Sequence, residues 1–280
     1  MTGPLLLKVG GELLETAESL ARLAGWAASV AATRPLVIVH GGGRGIDAEL
    51  DRRGLASQKV DGLRVTDAPT LDAVVSVLAG SANTALVAAL VGHDVPAVGL
   101  TGVDAGLGRA VRTSRHPSTA GALVDLGLVG DPTDADSSLV ELLLVHGYVP
   151  VIASLGIETA HPAVSPQVLN VNADVMAGRL AATLPACDLV IAGTTPGVLD
   201  DRGASIPILD ADGIDRIIAS GTATAGMVAK LTACRTALHE GVASVRIVDG
   251  RRLDPAHGLD GALATTIVLA GQPLGLGARD

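Results

Sequence analysis

Lys8-Val9-Gly10-Gly11 and His40-Gly41-Gly42-Gly43 each close an apolar, strand-like run, Leu5–Val9 in the first case and residues 36–39 in the second. A helical pattern begins directly after each set of glycines. A strand, then glycines, then a helix start presents bare backbone N–H groups at the positive end of a helix dipole. Only hydrogen then blocks the approach of an oxyanion. Two such cradles, one of them carrying Lys8, make a site for two anions or for one large one. Phosphoryl transfer between two anionic substrates is the chemistry that needs such a site.

The elements that must hold these loops follow from the hydropathy pattern. Strand-like runs cover residues 5–9, 36–39, 95–100, 148–153, 189–192 and 245–248. Helical patterns lie between most of them, at residues 12–32, 45–53, 71–91, 137–146, 173–183, 211–220 and 227–240. Alternating strands and helices, with strands that are apolar almost throughout, predict an α/β fold whose mostly parallel sheet is covered on both faces. Residues 122–124 and 128–129, split by Asp125-Leu126-Gly127, read as a small hairpin at its edge. The turn-rich stretch at Leu184-Pro185 is the expected boundary between an N-terminal lobe, residues 1–184, and a C-terminal lobe, residues 185–280, of one domain. The glycine-rich tail, residues 271–280, is expected to add little regular structure.

Composition removes several function classes. The chain has 280 residues, 48% hydrophobic and 18% charged, which is enough to bury a full core. A net charge of −9, with no Phe, one Tyr and one Trp, supplies neither the basic stripe nor the stacking aromatics of a nucleic-acid binder. Cys187 and Cys234 read as reduced core thiols of a cytoplasmic protein. The N-terminus reads as too short before its first strand for a signal peptide. Residues 73–91 carry no charge, but small and polar residues interrupt them and no Lys or Arg flanks them. They read as helix packed in a core or a subunit interface, and no membrane partner is expected.

Other glycine motifs fail on inspection. There is no G-x-x-x-x-G-K-[ST], no G-x-G-x-x-G after a strand, and no G-x-S-x-G to accompany the His40-Gly41-Gly42-Gly43 run. The seven histidines lack zinc-site spacing, so no protein-held metal is expected.

Five motifs instead occur in a telling order: Lys8-Val9-Gly10-Gly11, His40-Gly41-Gly42-Gly43, Gly62-Leu63-Arg64-Val65-Thr66, Asn170-Val171-Asn172-Ala173-Asp174 and Gly226-Met227-Val228-Ala229-Lys230. Together they resemble the amino-acid kinase family and, within it, the N-acetylglutamate kinases of arginine biosynthesis, over residues 5 to about 240. The resemblance implies a three-layer sandwich around an open sheet, and transfer of the γ-phosphoryl group of ATP, with Mg²⁺, to the side-chain carboxylate of N-acetyl-L-glutamate. That carboxylate, with a pKa of ~4.3, is already ionised at neutral pH, so no general base is required. Catalysis then rests on positioning and positive charge.

By resemblance, Lys8 bridges acceptor and transferring phosphoryl group, Lys230 clamps the leaving phosphates, and Asp174 organises both ammonium groups. Gly10 and Gly11 are implied to hold phosphoryl oxygens, and Gly42 and Gly43 the acceptor. Arg64 and Asn170 take its α-carboxylate, Arg64 through a bidentate fork. Asn172 is either a ligand or a helix N-cap. The ATP site falls on Thr194, Thr195, Pro196, Gly197, Val198 and Leu199, together with Thr222, Ala223 and Thr224. Relatives carry an aspartate where this chain has Thr194, and their C-terminal Gly-Thr element is here Gly275-Leu276-Gly277.

Two other functions stay open on the sequence alone: a sister kinase for glutamate or carrier-linked aminoadipate, and a non-catalytic amino-acid sensor on the same fold. Arginine-inhibited relatives carry an extra helix ahead of the first strand, whereas Met1-Thr2-Gly3-Pro4 precede Leu5 here. The expectation is a homodimer insensitive to L-arginine, joined through the small-residue helix at residues 71–91.

Overall fold

Leu5–Val9 and Leu36–His40 are buried at every residue, as only strands covered on both faces can be. In the computed structural model, which describes residues 3–113, 115–118, 121–133, 135–158, 166–223, 225–259 and 263–269, these runs are β1 and β2. The strands that follow are β3 (Lys59–Val60), β4 (Leu63–Arg64), β5 (Ala97–Thr101), β6 (Arg109–Arg112), β7 (His116–Pro117), β8 (Leu123–Val124) and β9 (Val129–Pro132). After them come β10 (Val149–Ala153), β11 (Leu155–Glu158), β12 (Gln167–Val171), β13 (Asp188–Gly193), β14 (Ile208–Leu209), β15 (Ser244–Asp249) and β16 (Ala264–Ile267). The helices are α1 (Ala17–Ala31), α2 (Gly43–Arg52), α3 (Ala68–Val75), α4 (Asn83–Val91), α5 (Ser138–Val145), α6 (Ala173–Thr183), α7 (Ala211–Ala219) and α8 (Ala225–His239).

One eight-stranded sheet runs in the order β14-β16-β15-β13-β1-β2-β10-β5. Its described pairings are parallel apart from β15 with β16. Alternation along the strands divides two cores. Leu6, Val37 and Val39 pack with Met176 and Leu180 of α6 and Leu231 and Cys234 of α8, whereas Leu5, Leu7, Leu36 and Ile38 pack with Trp26 of α1 and Leu86 of α4. The result is the expected α/β three-layer sandwich. Lys8 follows Leu6 in this alternation, so it faces α6 and α8.

Several local expectations are corrected. The helix foreseen over residues 12–32 is a short 3₁₀ turn, Gly11–Leu14, and then α1, which starts afresh because the Thr16 hydroxyl caps the Ser19 N–H. The foreseen edge hairpin does not form. Leu123–Val124 pairs with His116–Pro117, while Val129–Pro132 joins β6, β11 and β12 in a small four-stranded barrel. Strands of two to four residues give too short an alternation to reveal this partner exchange.

The apolar segment starts earlier than foreseen, at Ala68, where Asp67 caps the helix. It continues through a π-helical stretch at Ser76–Ala82 into α4. Ala68–Val91 is long and apolar enough to cross a membrane, an 18-residue window of it having a mean hydropathy of 2.0. Here its inner side packs against the protein: Leu86 and Leu90 enter one core, and Val74, Val77 and Leu78 enter another beside Ile46 and Leu50 of α2.

Candidate active site

In an open parallel sheet, ligands collect outside the carboxyl ends of the strands, where neighbouring connections leave in opposite directions. That place is the end of β1, flanked by β2 on one side and β13 on the other. The Lys8 side chain emerges there, and Asp174, in the first turn of α6, meets it with Nζ 2.8 Å from Oδ1. Both side chains are nearly buried. A carboxylate has about four lone-pair sites on its two oxygens, so with Lys8 on Oδ1 it has room for a second cation.

Lys230 of α8 supplies one close by. Its ammonium group would sit 3.3 Å from a Cβ added to Gly193, at the end of β13. Burial lowers its pKa most, the charge of Lys8 lowers it further, and Asp174 opposes both. Lys8, Asp174 and Lys230 thus form one electrostatic cluster.

The two glycine loops touch through their backbones. A Cβ on Gly11 would lie 2.6 Å from the Gly43 nitrogen and 2.8 Å from the Gly42 carbonyl carbon, so glycine at 11 is dictated by this approach. Gly10 is a partial correction to the anion cradle, because its N–H donates to the Ala192 carbonyl at 2.9 Å as an extension of the sheet. Gly11 opens the 3₁₀ turn, where an N–H has no acceptor within the turn itself. Glu12 is a neighbour that the sequence did not single out. Its carboxylate folds over Gly10, within 2.6 Å of where a Cβ would be, and adds negative charge beside Lys230.

Next to this cluster, Gly42, Gly43, Arg64 and Asn170 line a single cavity of about 200 Å³, together with Ser154 and Asn172. Gly43 opens α2, and a Cβ there would meet nothing within 4 Å. The Arg64 guanidinium is held by Asp47 at 2.6 Å, by the Ser57 hydroxyl at 2.6 Å and by the Gly43 carbonyl at 3.3 Å. Asp47 also takes Lys59 at 2.9 Å. Burial works against the Asp47 charge, yet hydrogen bonds from Lys59, Ser57 and Arg64 hold its carboxyl below the usual range. The Asn170 amide donates to the Thr66 hydroxyl at 3.1 Å. Asn172 resolves as a cap: its side chain accepts from the Asp174 and Val175 N–H groups, which fixes the start of α6 and so the position of Asp174.

A second cavity, of about 120 Å³, is lined by Thr195, Gly197, Val198, Leu199, Thr222 and Ala223, with Met227 of α8. The Thr195 hydroxyl is buried with no hydrogen-bond partner. Gly197 takes a left-handed φ of 80° and packs on Thr265, whose hydroxyl accepts from the Val198 N–H at 2.7 Å. Thr194 and Pro196 belong to the same turn but do not line the cavity. Thr224 and residues 271–280 lie outside the described residues. Among the described residues, no three His, Cys, Asp or Glu side chains converge as a metal site.

A parallel sheet carrying a lysine and two touching glycine loops at its carboxyl edge, with acidic and basic groups delivered from α6 and α8, defines a class. The chain belongs to the amino acid kinase family, whose sequence model matches residues 4–249. Among curated relatives, the acetylglutamate kinase of Roseiflexus sp. (strain RS-1) is 42% identical over 272 residues, covering 96% of this chain and 95% of that one. The acetylglutamate kinase of Aromatoleum aromaticum is 41% identical over 217 residues, 77% of this chain and 71% of the relative.

Among solved structures, a Streptococcus mutans UA159 protein superposes with a TM-score of 0.77 at 25% identity, covering 96% of this chain and 99% of that one. An N-acetylglutamate synthase from Neisseria gonorrhoeae, complexed with coenzyme A and N-acetyl-glutamate, gives a TM-score of 0.78 at 22% identity. That likeness covers 95% of this chain but only 59% of the synthase, and it speaks for the fold alone.

Proposed function

We propose that this chain transfers the γ-phosphoryl group of ATP to the side-chain carboxylate of N-acetyl-L-glutamate, forming an acyl phosphate. The observation that carries the reading is the Lys8–Asp174–Lys230 cluster, in a chain that also holds a cavity lined by Gly42, Gly43, Arg64 and Asn170 and another lined by Thr195 and Gly197. An acetylglutamate kinase 42% identical to this chain, with 95% of its own length covered, supports the choice of acceptor.

The acceptor carboxylate and the phosphates repel each other, and the transferring group spreads charge over its oxygens. Lys8 and Lys230 stabilise that charge on either side of the group in flight, and Asp174 keeps the two ammonium groups oriented. Gly11, Gly42 and Gly43 direct N–H groups at the anions, and Arg64 receives the α-carboxylate. Mg²⁺ arrives as part of the nucleotide substrate and shields its phosphates. ADP release measured against N-acetyl-L-glutamate, L-glutamate and N-acetyl-L-aspartate tests the reading. Hydroxylamine trapping of an acyl phosphate with the first substrate alone is the expected result, and turnover with L-glutamate in its place, or with none of the three, would overturn it.

Arg64→Ala is expected to raise the KM for N-acetyl-L-glutamate by ~10–100-fold and the KM for ATP by less than ~2-fold, as for a lost charged hydrogen bond in ground-state binding. Asp47 keeps Lys59 as a partner in that variant, which limits the structural cost. Equal rises in both constants would make Arg64 structural.

The lowered pKa of Lys230 carries a further expectation. Because the fold disfavours its charged form, the ammonium is lost as pH rises through a value below the ordinary 10.5, and kcat/KM for ATP should fall with it. Lys230→Arg, which stays charged, should remove that alkaline limb from whatever activity remains. A limb that survives the substitution would assign it to another group.

The assembly and location belong to the same proposal. The chain acts in the cytoplasm as a homodimer of single-domain subunits, with an acceptor lobe over residues 1–184 and an ATP lobe over residues 185–280. The dimer reading is supported by β5, an outer strand of the sheet that is half-exposed along its length. Val91, Leu142, Val145 and Tyr148 are exposed on the elements next to β5 and β10.

A further inference from the structure

The long apolar segment changes its winding at one place, Ser76–Ala82, and that place faces the acceptor loop. Leu78 lies within the π-helical stretch and Asn83 directly follows it. In a regular α-helix, residues five apart point ~140° away from each other, so one helix face could not present both to the same neighbour. The i→i+5 winding brings them together, and such stretches concentrate at functional sites. Leu78 packs on the acceptor loop, its Cδ2 being 2.8 Å from where a Cβ of Gly42 would lie.

Asn83, buried like the apolar residues around it, reaches the last residue of β2. Its Nδ2 lies 3.0 Å from His40 Nε2, 3.0 Å from the Val151 carbonyl and 3.3 Å from the Leu100 carbonyl. Its Oδ1 occupies the space of a Cβ at Gly99, 2.2 Å from where that atom would be. Two carbonyl oxygens around Nδ2 fix the amide's orientation, because a carbonyl cannot face them. Nδ2 has two protons for three neighbours: Val151 and His40, both at 3.0 Å, take them and Leu100 at 3.3 Å shares one, so His40 Nε2 is an acceptor. Its one proton sits on Nδ1, 3.1 Å from the Gly41 carbonyl oxygen. Burial supports this neutral form, pushing the imidazole's pKa down to about 4 against the raising effect of the Gly41 bond.

We propose that His40, fixed as the Nδ1–H tautomer by Asn83, is a positioning residue for the acceptor loop. The Gly41 carbonyl and the Gly42 N–H belong to one planar trans peptide and point in opposite directions. Holding the carbonyl on the imidazole therefore sets the direction of the Gly42 N–H, on the side away from His40, at a residue that lines the acceptor cavity. The π-helical stretch and the start of α4 fix the loop twice, through Leu78 on Gly42 and through Asn83 and His40 on Gly41. The inference rests on the acetylglutamate reading of that cavity, while the tautomer can be read without it.

Two substitutions separate the two ring nitrogens. Asn places an N–H donor at the Nδ1 position, and Gln places an acceptor at the Nε2 position without a donor to Gly41. His40→Gln should raise the KM for N-acetyl-L-glutamate at least ~10-fold with the KM for ATP within ~2-fold, and His40→Asn should recover most of that loss. An unchanged acceptor KM in His40→Gln, equal rises in both constants, or equal impairment of the two variants would overturn the proposal. Should neither variant fold, ¹⁵N-histidine NMR of the wild-type protein at neutral pH decides: a protonated Nδ1 supports the proposal, and a protonated Nε2 overturns it. Failure of the wild-type protein to turn over N-acetyl-L-glutamate would remove the functional reading and leave the tautomer result standing.

Discussion

Lys8→Met should keep the fold and lower kcat at least ~100-fold, equivalent to losing roughly 3 kcal/mol of transition-state stabilisation. Methionine fills the lysine's volume along β1 without its charge, so the effect reads electrostatics more than packing. The variant also strips Asp174 of its 2.8 Å partner in a nearly buried place, which costs stability on its own account. The two effects come apart in the double variant Lys8→Met/Asp174→Asn. Removing both charges should return much of the lost melting temperature and none of the lost kcat. A single variant with near-wild-type kcat would remove Lys8 from the chemistry. A double variant that recovers activity would mean that Lys8 serves only to neutralise Asp174.

Asp174→Asn should be nearly as damaging, with kcat down ~100-fold and little change in the shape of the site. The carboxylate borders Lys8 and Lys230 together, and two ammonium groups without it repel each other across a partly dry space. An amide offers one weak acceptor and a donor that faces the cations unfavourably. The burial and the Lys8 charge that already lower the Lys230 pKa would then meet weaker opposition, so the alkaline loss of activity should move to lower pH in this variant. Retention of most activity would reduce Asp174 to a first-turn acid favoured by the dipole of α6.

The parallel core was legible because β1, β2, β10, β13 and β15 are apolar almost throughout, interrupted inside only by Lys8 in β1 and Arg246 in β15, a pattern that long-range packing reinforces. The site was legible where a residue type has few uses, as with glycines after a strand. It was less so where function depends on where a backbone group has already gone: nothing in the letters shows that the Gly10 N–H is committed to Ala192. Glu12 was hidden inside a foreseen helix, and only the Thr16 cap releases it into the loop. His40 stood in view within the glycine motif. Its partner Asn83 lies 43 residues away and becomes its neighbour only through a change of helical winding, which no apolar periodicity predicts. The small barrel of β6, β9, β11 and β12 was invisible because its strands are short and take partners across long stretches of chain.

The seam between the two proposed lobes runs through the middle of the sheet, along β1 and β13. All five residues of β1 stand in parallel register with β13, from Leu5 beside Asp188 to Val9 beside Ala192. Among the described residues, the two proposed halves therefore meet along paired strands. Its mechanics are those of a twisted leaf spring, not of a door. Any motion that brings the nucleotide turn toward the acceptor cavity must bend or twist a continuous hydrogen-bonded ribbon, or slide the helices mounted on it. Lys8 sits in that ribbon, in register with Ile191 of β13.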